Sequence, residues 1–369
     1  MKELERIQPL LRGLHIPAWA LVPAAIGLVS RLFSSGIIGL MRVLGPPDYS
    51  VLVRPANGFD AWDGQWYLWI VKNGYHAAAV RPPRAFDFAF FPLWPSLIKV
   101  STLGVLPSWS TAVVLANGLF IVAAVIVWRL LADSFGDVTA TRATALFAFA
   151  PPAFVFSMVY TESLFVLLAA ASLVAARRSS RWALPAAFLA GLSRVTSVAI
   201  AGSALVGAIR STGRRRWIAL GSVVAVLVAL GAWSLFVWAL TGDALGFVHV
   251  GTNWEPGTAG PQALLNYVAP PRVSSIPRIA FVVVIAVASL RLLKVDREIA
   301  AYSLGCVALA IAAGAVWSIP RYVLVAFPAF GVLAGWGGRR GTLVLLAISV
   351  ALQVAFVWMS ISPNPVEAM

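Results

Sequence analysis

Apolar runs of roughly 20 residues recur along almost the whole of this 369-residue chain. A helix of that length crosses a hydrocarbon layer of about 30 Å. Lipid offers backbone groups no partner, so only helices or a closed barrel can span it. Barrel strands alternate apolar and polar residues. These runs are continuously apolar, and 60% of the chain is hydrophobic against 11% charged. The reading is an all-α integral membrane protein: a polytopic helical bundle of about 10–12 membrane segments in a single domain, 1–369, with no separate soluble part. Two composition figures need care. The net charge of +14 resembles a nucleic-acid signature, but in a membrane protein Lys and Arg mostly set topology, so no nucleic-acid partner is expected. One cysteine, Cys306, excludes an internal disulfide.

The runs fall near 16–41, 109–131, 142–157, 163–176, 182–192, 195–209, 217–240, 277–293, 299–317, 322–336 and 342–360. The start, residues 1–15, reads as a cytoplasmic tail. Basic clusters at 177–181, 210–216, 291–297 and 337–340 should face the cytoplasm. That leaves the first external loop, 45–87, and a second, 241–276, on the opposite face. The segment 86–105 is broken by Pro92 and Pro95. Parity requires it to be re-entrant or interfacial, and irregular backbone at that depth needs a protein-lined or wet cavity.

The external face collects the chemistry. Its first loop contains "FDAWDGQWYLWIVKNGYH", Phe59 to His76. Asp63 followed by Gly64 reads as a helix start, with Asp63 as an N-cap and the aromatics 66, 67 and 69 at headgroup level. Asp63 reads equally well as a bare cap or as a general base toward a sugar hydroxyl. Asp60 is a helper or a loop residue. Arg194 lies between two half-length segments and Arg321 follows Pro320. Charges at membrane depth face cavities and partners, and arginines there hold a lipid phosphate bidentately and stabilise its departure. Arg321 also fits a snorkelling helix-end residue, and Thr161 and Glu162 fit helix caps. Arg31, inside the first span, is a packed structural charge or lines a lipid groove. Trp254, beside Glu255, can stack on a sugar or belong to the interfacial tryptophan belt. His15, His76 and His249 lack ligand spacing, and Asp60 with Asp63 makes a thin site for a divalent metal, so no cofactor is expected.

Four ordered blocks carry a resemblance: "WDGQWYLWIVKNGY" (62–75), "AFFPLWPSL" (89–97), "VYTESLFVLLAAASLVAARR" (159–178) running into "LAGLSRVTS" (189–197), and "SIPRYVLVAFPAFGVLAGW" (318–336). The chain resembles a bacterial member of the PIG-V-type mannosyltransferases (GPI mannosyltransferase 2-like) of the GT-C glycosyltransferase superfamily. Ala61 and Val195 depart from the Arg and Pro usual in that family. The resemblance implies a polyprenyl-phosphate-mannose donor, a glycolipid, polysaccharide or protein acceptor, and a multi-pass plasma-membrane protein working on its extracytoplasmic side. It implies inversion with Asp63 as base. Trp62 and Asp60 belong to the same motif, Tyr160 and Glu162 would meet sugar hydroxyls, Arg194 and Arg321 the lipid phosphate, and Tyr322 would pair with Arg321. The competing readings are a lipid or sugar transporter or flippase, a non-catalytic scaffold, and a transferase of another lipid-linked sugar.

Overall fold

The computed structural model describes residues 17–44, 58–78, 86–250, 276–313 and 318–361. Every regular element among them is helical. In chain order the helices are α1 (Leu21–Leu44), α2 (Asp63–Asn73), α3 (Leu93–Ser101), α4 (Ser108–Phe135), α5 (Asp137–Ala148), α6 (Glu162–Arg177), α7 (Ala183–Gly191), α8 (Val198–Arg210) and α9 (Gly213–Thr241). After the undescribed part of the second loop come α10 (Ile276–Leu292), α11 (Arg297–Ala313), α12 (Ile319–Leu324), α13 (Ala329–Gly335) and α14 (Gly338–Ile361). Among the described residues, four helices are long and apolar enough to cross a bilayer alone: Ala18–Met41, Ser108–Phe135, Gly213–Thr241 and Gly338–Ser360. The helix Asp137–Ala148 and the 3-10 stretch Pro151–Ser157, bent by 77°, make a fifth if taken together. Residues such as Leu32, Leu227 and Leu235 point outward from these long helices, as a lipid-facing surface requires.

Side-chain contacts sort the loops into two ends. At one end Arg177 pairs with Asp296, Arg178 with Asp133 at 3.8 Å, and Arg215 with Glu298 at 2.6 Å. Arg291 there stacks over Trp336, 5.2 Å from its ring centre. The basic clusters thus share one end of the bundle. At the other, the Val159 N–H donates to the Phe59 carbonyl at 2.9 Å and the Leu93 N–H to the Leu192 carbonyl at 3.0 Å. The Trp62 indole N–H donates to the Ser360 carbonyl at 3.1 Å. This is the motif end.

The Pro-broken segment does not cross. α3 has nine residues, about 14 Å of helix, and lies against α2 and the start of α4 at the motif end. Trp66, Tyr67, Ile70, Trp94, Ile98 and Ala112 form its packing cluster. The aromatic run of α2 was expected at headgroup level, yet Trp66 and Tyr67 turn inward while Trp69 is part-exposed. Burial onto α3 and α4 outweighs the interfacial preference.

The shorter spans set the depth of the motif end. α7 starts at the basic end and runs nine residues, about 14 Å. α9 starts beside it and runs 29 residues, about 43 Å. The two cross closely at Gly191, where a Cβ would lie 2.5 Å from the Cβ of Ala229 and 3.3 Å from the Val226 carbonyl oxygen. Ala229 is in the middle of α9, so the turn after α7 stops well below the top of the bundle. The span expected over 322–336 is likewise broken, at Pro328, into α12 and α13.

Arg31 is a structural charge. Only 2% exposed, it donates through Nη2 to the Ala148 carbonyl at 3.0 Å and through Nη1 to the Ala153 carbonyl at 2.8 Å and Ser157 Oγ at 3.1 Å. Its guanidinium stacks on Phe120 at 4.2 Å. The bend between α5 and the 3-10 stretch frees carbonyls in an apolar core, and Arg31 satisfies them. Arg31→Met keeps the volume and strands those carbonyls. It should destabilise the protein by about 1–3 kcal/mol per orphaned acceptor, seen as a lower melting temperature in detergent.

Candidate active site

The motif loop reaches its position through a strained turn. Trp62 has φ 55° and ψ −115°, a costly conformation for a bulky residue that clusters at functional sites. It swings the chain so that α2 begins at Asp63. Gly64 follows because α2 meets the 158–161 segment closely: a Cβ there would approach the Cβ of Val159 to 3.3 Å. The Tyr160 hydroxyl donates to the Ala61 carbonyl at 3.0 Å and locks the loop further.

The expected cap role of Asp63 does not hold. The cap position is Trp62, with no side-chain cap bond, and Asp63 opens the helix. Its charge suits the helix N-terminus, but its carboxylate goes elsewhere: Oδ2 lies 2.6 Å from Arg321 Nη1. Arg321 in turn approaches Glu162 Oε1 through Nε at 3.3 Å. The same oxygen lies 2.6 Å from Arg194 Nη1. Four charges from four separate segments therefore alternate in sign in one row. Arg321 also donates to the Tyr322 hydroxyl at 3.2 Å and lies 4.8 Å from the Tyr160 ring centre. Arg194 lies 5.4 Å from the Tyr322 ring, so that ring serves both guanidiniums.

Burial differs along the row. The Glu162 side chain is 1% exposed, Arg321 10%, Arg194 13% and Asp63 29%. Glu162 is the inner anchor and Asp63 the most exposed end of the row. The capping roles weighed for Thr161 and Glu162 are absent, because α6 starts without a side-chain cap bond. Nor does Arg321 snorkel, since its head group is inside and doubly paired. Tyr67 of α2 is buried beside the row, and burial raises its phenol well above the ordinary value, so it stays neutral.

Other expected residues are arranged differently. Asp60 lines a separate cleft with Lys72 and Lys99. Trp62 is part-exposed and tied to the end of α14. Trp254 and Glu255 lie outside the described residues. His76 binds Asp87: its N–H and ring Nδ1 reach the fully buried carboxylate, the ring at 2.8 Å. This pins the loop after α2, and the sequence signals it only as an acid close to a histidine. Among the described residues, no three His, Cys, Asp or Glu side chains gather as a metal-binding group.

A helical membrane bundle with a carboxylate and two arginines at one end has the make-up of a membrane-embedded group-transfer enzyme. The family model described as Mannosyltransferase (PIG-V) matches residues 50–238, half of the chain, and the chain belongs to that family. The matched stretch includes Asp63, Glu162 and Arg194; Arg321 and Tyr322 lie beyond it and join the site in space. No curated protein matches the chain. Among solved structures it is similar to the oligosaccharyltransferase of Archaeoglobus fulgidus, crystallised with a disulfide-tethered acceptor peptide containing the NVT sequon. Identity is 11%, over 95% of this chain and 55% of that one, with a TM-score of 0.47. The chain thus spans about half the length of that protein.

Removing the inner anchor tests the row. Glu162→Ala leaves two buried guanidiniums without their shared acceptor and should cost about 3–5 kcal/mol. Thr161→Val, which removes no cap bond, should melt close to wild type in the same thermal denaturation series.

Proposed function

We propose that this chain is an integral-membrane mannosyltransferase. It moves a mannosyl group from polyprenyl-phosphate-mannose to a hydroxyl of a glycolipid, polysaccharide or protein acceptor. The motif end is its active end and faces the extracytoplasmic side of the plasma membrane. The observation that carries this reading is the contact of Asp63 with Arg321 at 2.6 Å, backed by Glu162 and Arg194, below the top of the bundle. A lipid-linked phosphate arrives at that depth.

The chemistry is an inverting displacement. Asp63 takes the proton of the acceptor hydroxyl. The acceptor oxygen forms its bond to the anomeric carbon as the bond from that carbon to the phosphate oxygen breaks. The leaving polyprenyl phosphate keeps the electron pair, and Arg321 and Arg194 stabilise its growing charge. No cofactor is invoked, because the guanidiniums supply the positive charge. Tyr160 and Tyr322 hold Arg321 by their rings, and Trp62 and Trp254 offer faces for sugars.

The pairing in the row also gives an order of events. With no donor bound, Arg321 is shared between Asp63 and Glu162. A phosphate competes with Asp63 for Arg321, since bidentate phosphate binding suits a guanidinium. Glu162, buried at the far side, keeps Arg321 and Arg194 in place. The base is released only when the donor is present.

In membranes given labelled polyprenyl-phosphate-mannose, wild type should transfer label to endogenous acceptors. Asp63→Asn, at matched expression and folding, should lose at least the ~10²-fold rate of a missing general base. Transfer at the wild-type rate by Asp63→Asn would overturn the mechanism. Orientation has its own check. Cys306 is buried and shielded from the reagent, so single cysteines can be introduced against a silent background. An impermeant maleimide on intact cells should label Asn73→Cys at the motif end and spare Arg181→Cys at the basic end; the reverse pattern would invert the topology.

A further inference from the structure

A second polar feature lies at the motif end, apart from the arginine row. α2, α3 and the start of α4 enclose an open cleft of about 560 Å³, within the size range of ligand sites. Lys72 from α2, Lys99 from α3, and Ser108 and Trp109 from α4 line it, together with Asp60. Asp60 sits against the first turn of α2, where a Cβ on Gly64 would lie 3.5 Å from its own Cβ. The cleft therefore runs up to the loop that carries Asp63.

Its charge is unusual for its place. Basic residues concentrate at the opposite end of the bundle, where topology explains them. Two lysines here have no such reason, and neither forms an ion pair among the described residues. Both are exposed. The mouth is bordered by an apolar turn: Val100, Leu103, Val105 and Leu106 are 73%, 77%, 82% and 51% exposed. Such a turn belongs in lipid rather than water. Cations above an apolar rim match an amphiphile with an anionic head group, the head on the lysines and the chains beside the turn. Trp109 adds a face at the level where tryptophans favour the interface.

We propose that this cleft binds the phosphate of a membrane amphiphile through Lys72 and Lys99, seating a phosphate-bearing acceptor lipid beside the transfer site. Only the occupant's role as acceptor rests on the mannosyltransferase reading; the binding does not. A phosphate here leaves the arginine row to the donor, so the two substrates do not compete for one cation.

The test uses the purified full-length protein in neutral detergent, with dioctanoyl phosphatidic acid as the probe. Dioctanoyl phosphatidylcholine and glycerol 1-phosphate are the comparisons, and binding is read by thermal-shift titration and native mass spectrometry. Wild type should prefer phosphatidic acid by at least about tenfold, the worth of one charged hydrogen bond. Lys72→Gln/Lys99→Gln should lose that preference, and Arg321→Lys, which keeps a cation beside Glu162 but loses the bidentate guanidinium, should keep it. Unchanged binding by the lysine variant, or loss in an Arg321→Lys protein that melts like wild type, would overturn the proposal. Equal affinity for glycerol 1-phosphate would show a site for free phosphate and overturn the amphiphile. If the double variant melts early, Lys99→Glu alone, on an exposed face of α3, repeats the comparison. In the transfer assay the lysine variant should raise KM for the acceptor at least about tenfold and leave KM for the donor unchanged. Intact lipid binding with an unchanged acceptor KM would mark a bulk phospholipid site and overturn the acceptor role.

Discussion

Four charges that cannot be buried alone hold the motif end together. Glu162 is the centre: at 1% exposure an isolated carboxylate would be prohibitively costly. It is kept by Arg194 from the turn after α7 and by Arg321 from α12, and Arg321 reaches on to Asp63 at the start of α2. Each ion is acceptable only because the others are present. This requirement joins segments from across the chain, and it does so without a disulfide or a regular sheet. It also explains the two tyrosines beside Arg321, which cover the faces of the guanidinium while its edges meet oxygen.

The depth of the row follows from helix length. A bundle of full-length spans would lift every loop into water. Here α7 stops after nine residues and packs by Gly191 into the middle of α9, and α12 and α13 share one broken crossing. The turn after α7 is thus set below the ends of the long helices. Arg31 performs the matching task in the core, where the sharp bend after α5 would otherwise leave carbonyls in hydrocarbon. Short or broken helices are affordable in a membrane only where such a side chain takes up the freed backbone groups.

Much of this was legible in the residues. The long apolar runs around 109–131 and 217–240 announced their helices, because continuous hydrophobicity over that length has few other meanings. The basic clusters announced the shared end. Parity, with Pro92 and Pro95, announced that the 86–105 segment does not cross, and α3 is too short to do so. The blocks around Asp63, Glu162 and Arg194 announced the family. What could not be read was pairing across the chain. Nothing near Asp63 in sequence says that its carboxylate meets Arg321, and a capping role was the natural local inference, since Asp often caps helices. The direction of Trp66 and Tyr67 was hidden for the same reason: an aromatic helix at an interface can face headgroups or a neighbouring helix, and only α3 decides it. Arg31 was ambiguous because its acceptors are main-chain carbonyls, which carry no residue signature.

The contact between the Trp62 indole and the Ser360 carbonyl joins residues 298 positions apart. At synthesis rates of about 5–20 residues per second, the loop that carries Asp63 waits roughly 15–60 s between its own emergence and that of its last partner. Arg321 also comes late. Until Arg321 emerges, Asp63 lacks the counter-ion it has in the folded protein. The active end is therefore the last part of the molecule to be completed, and a ribosome-bound intermediate carries the motif without the means to use it.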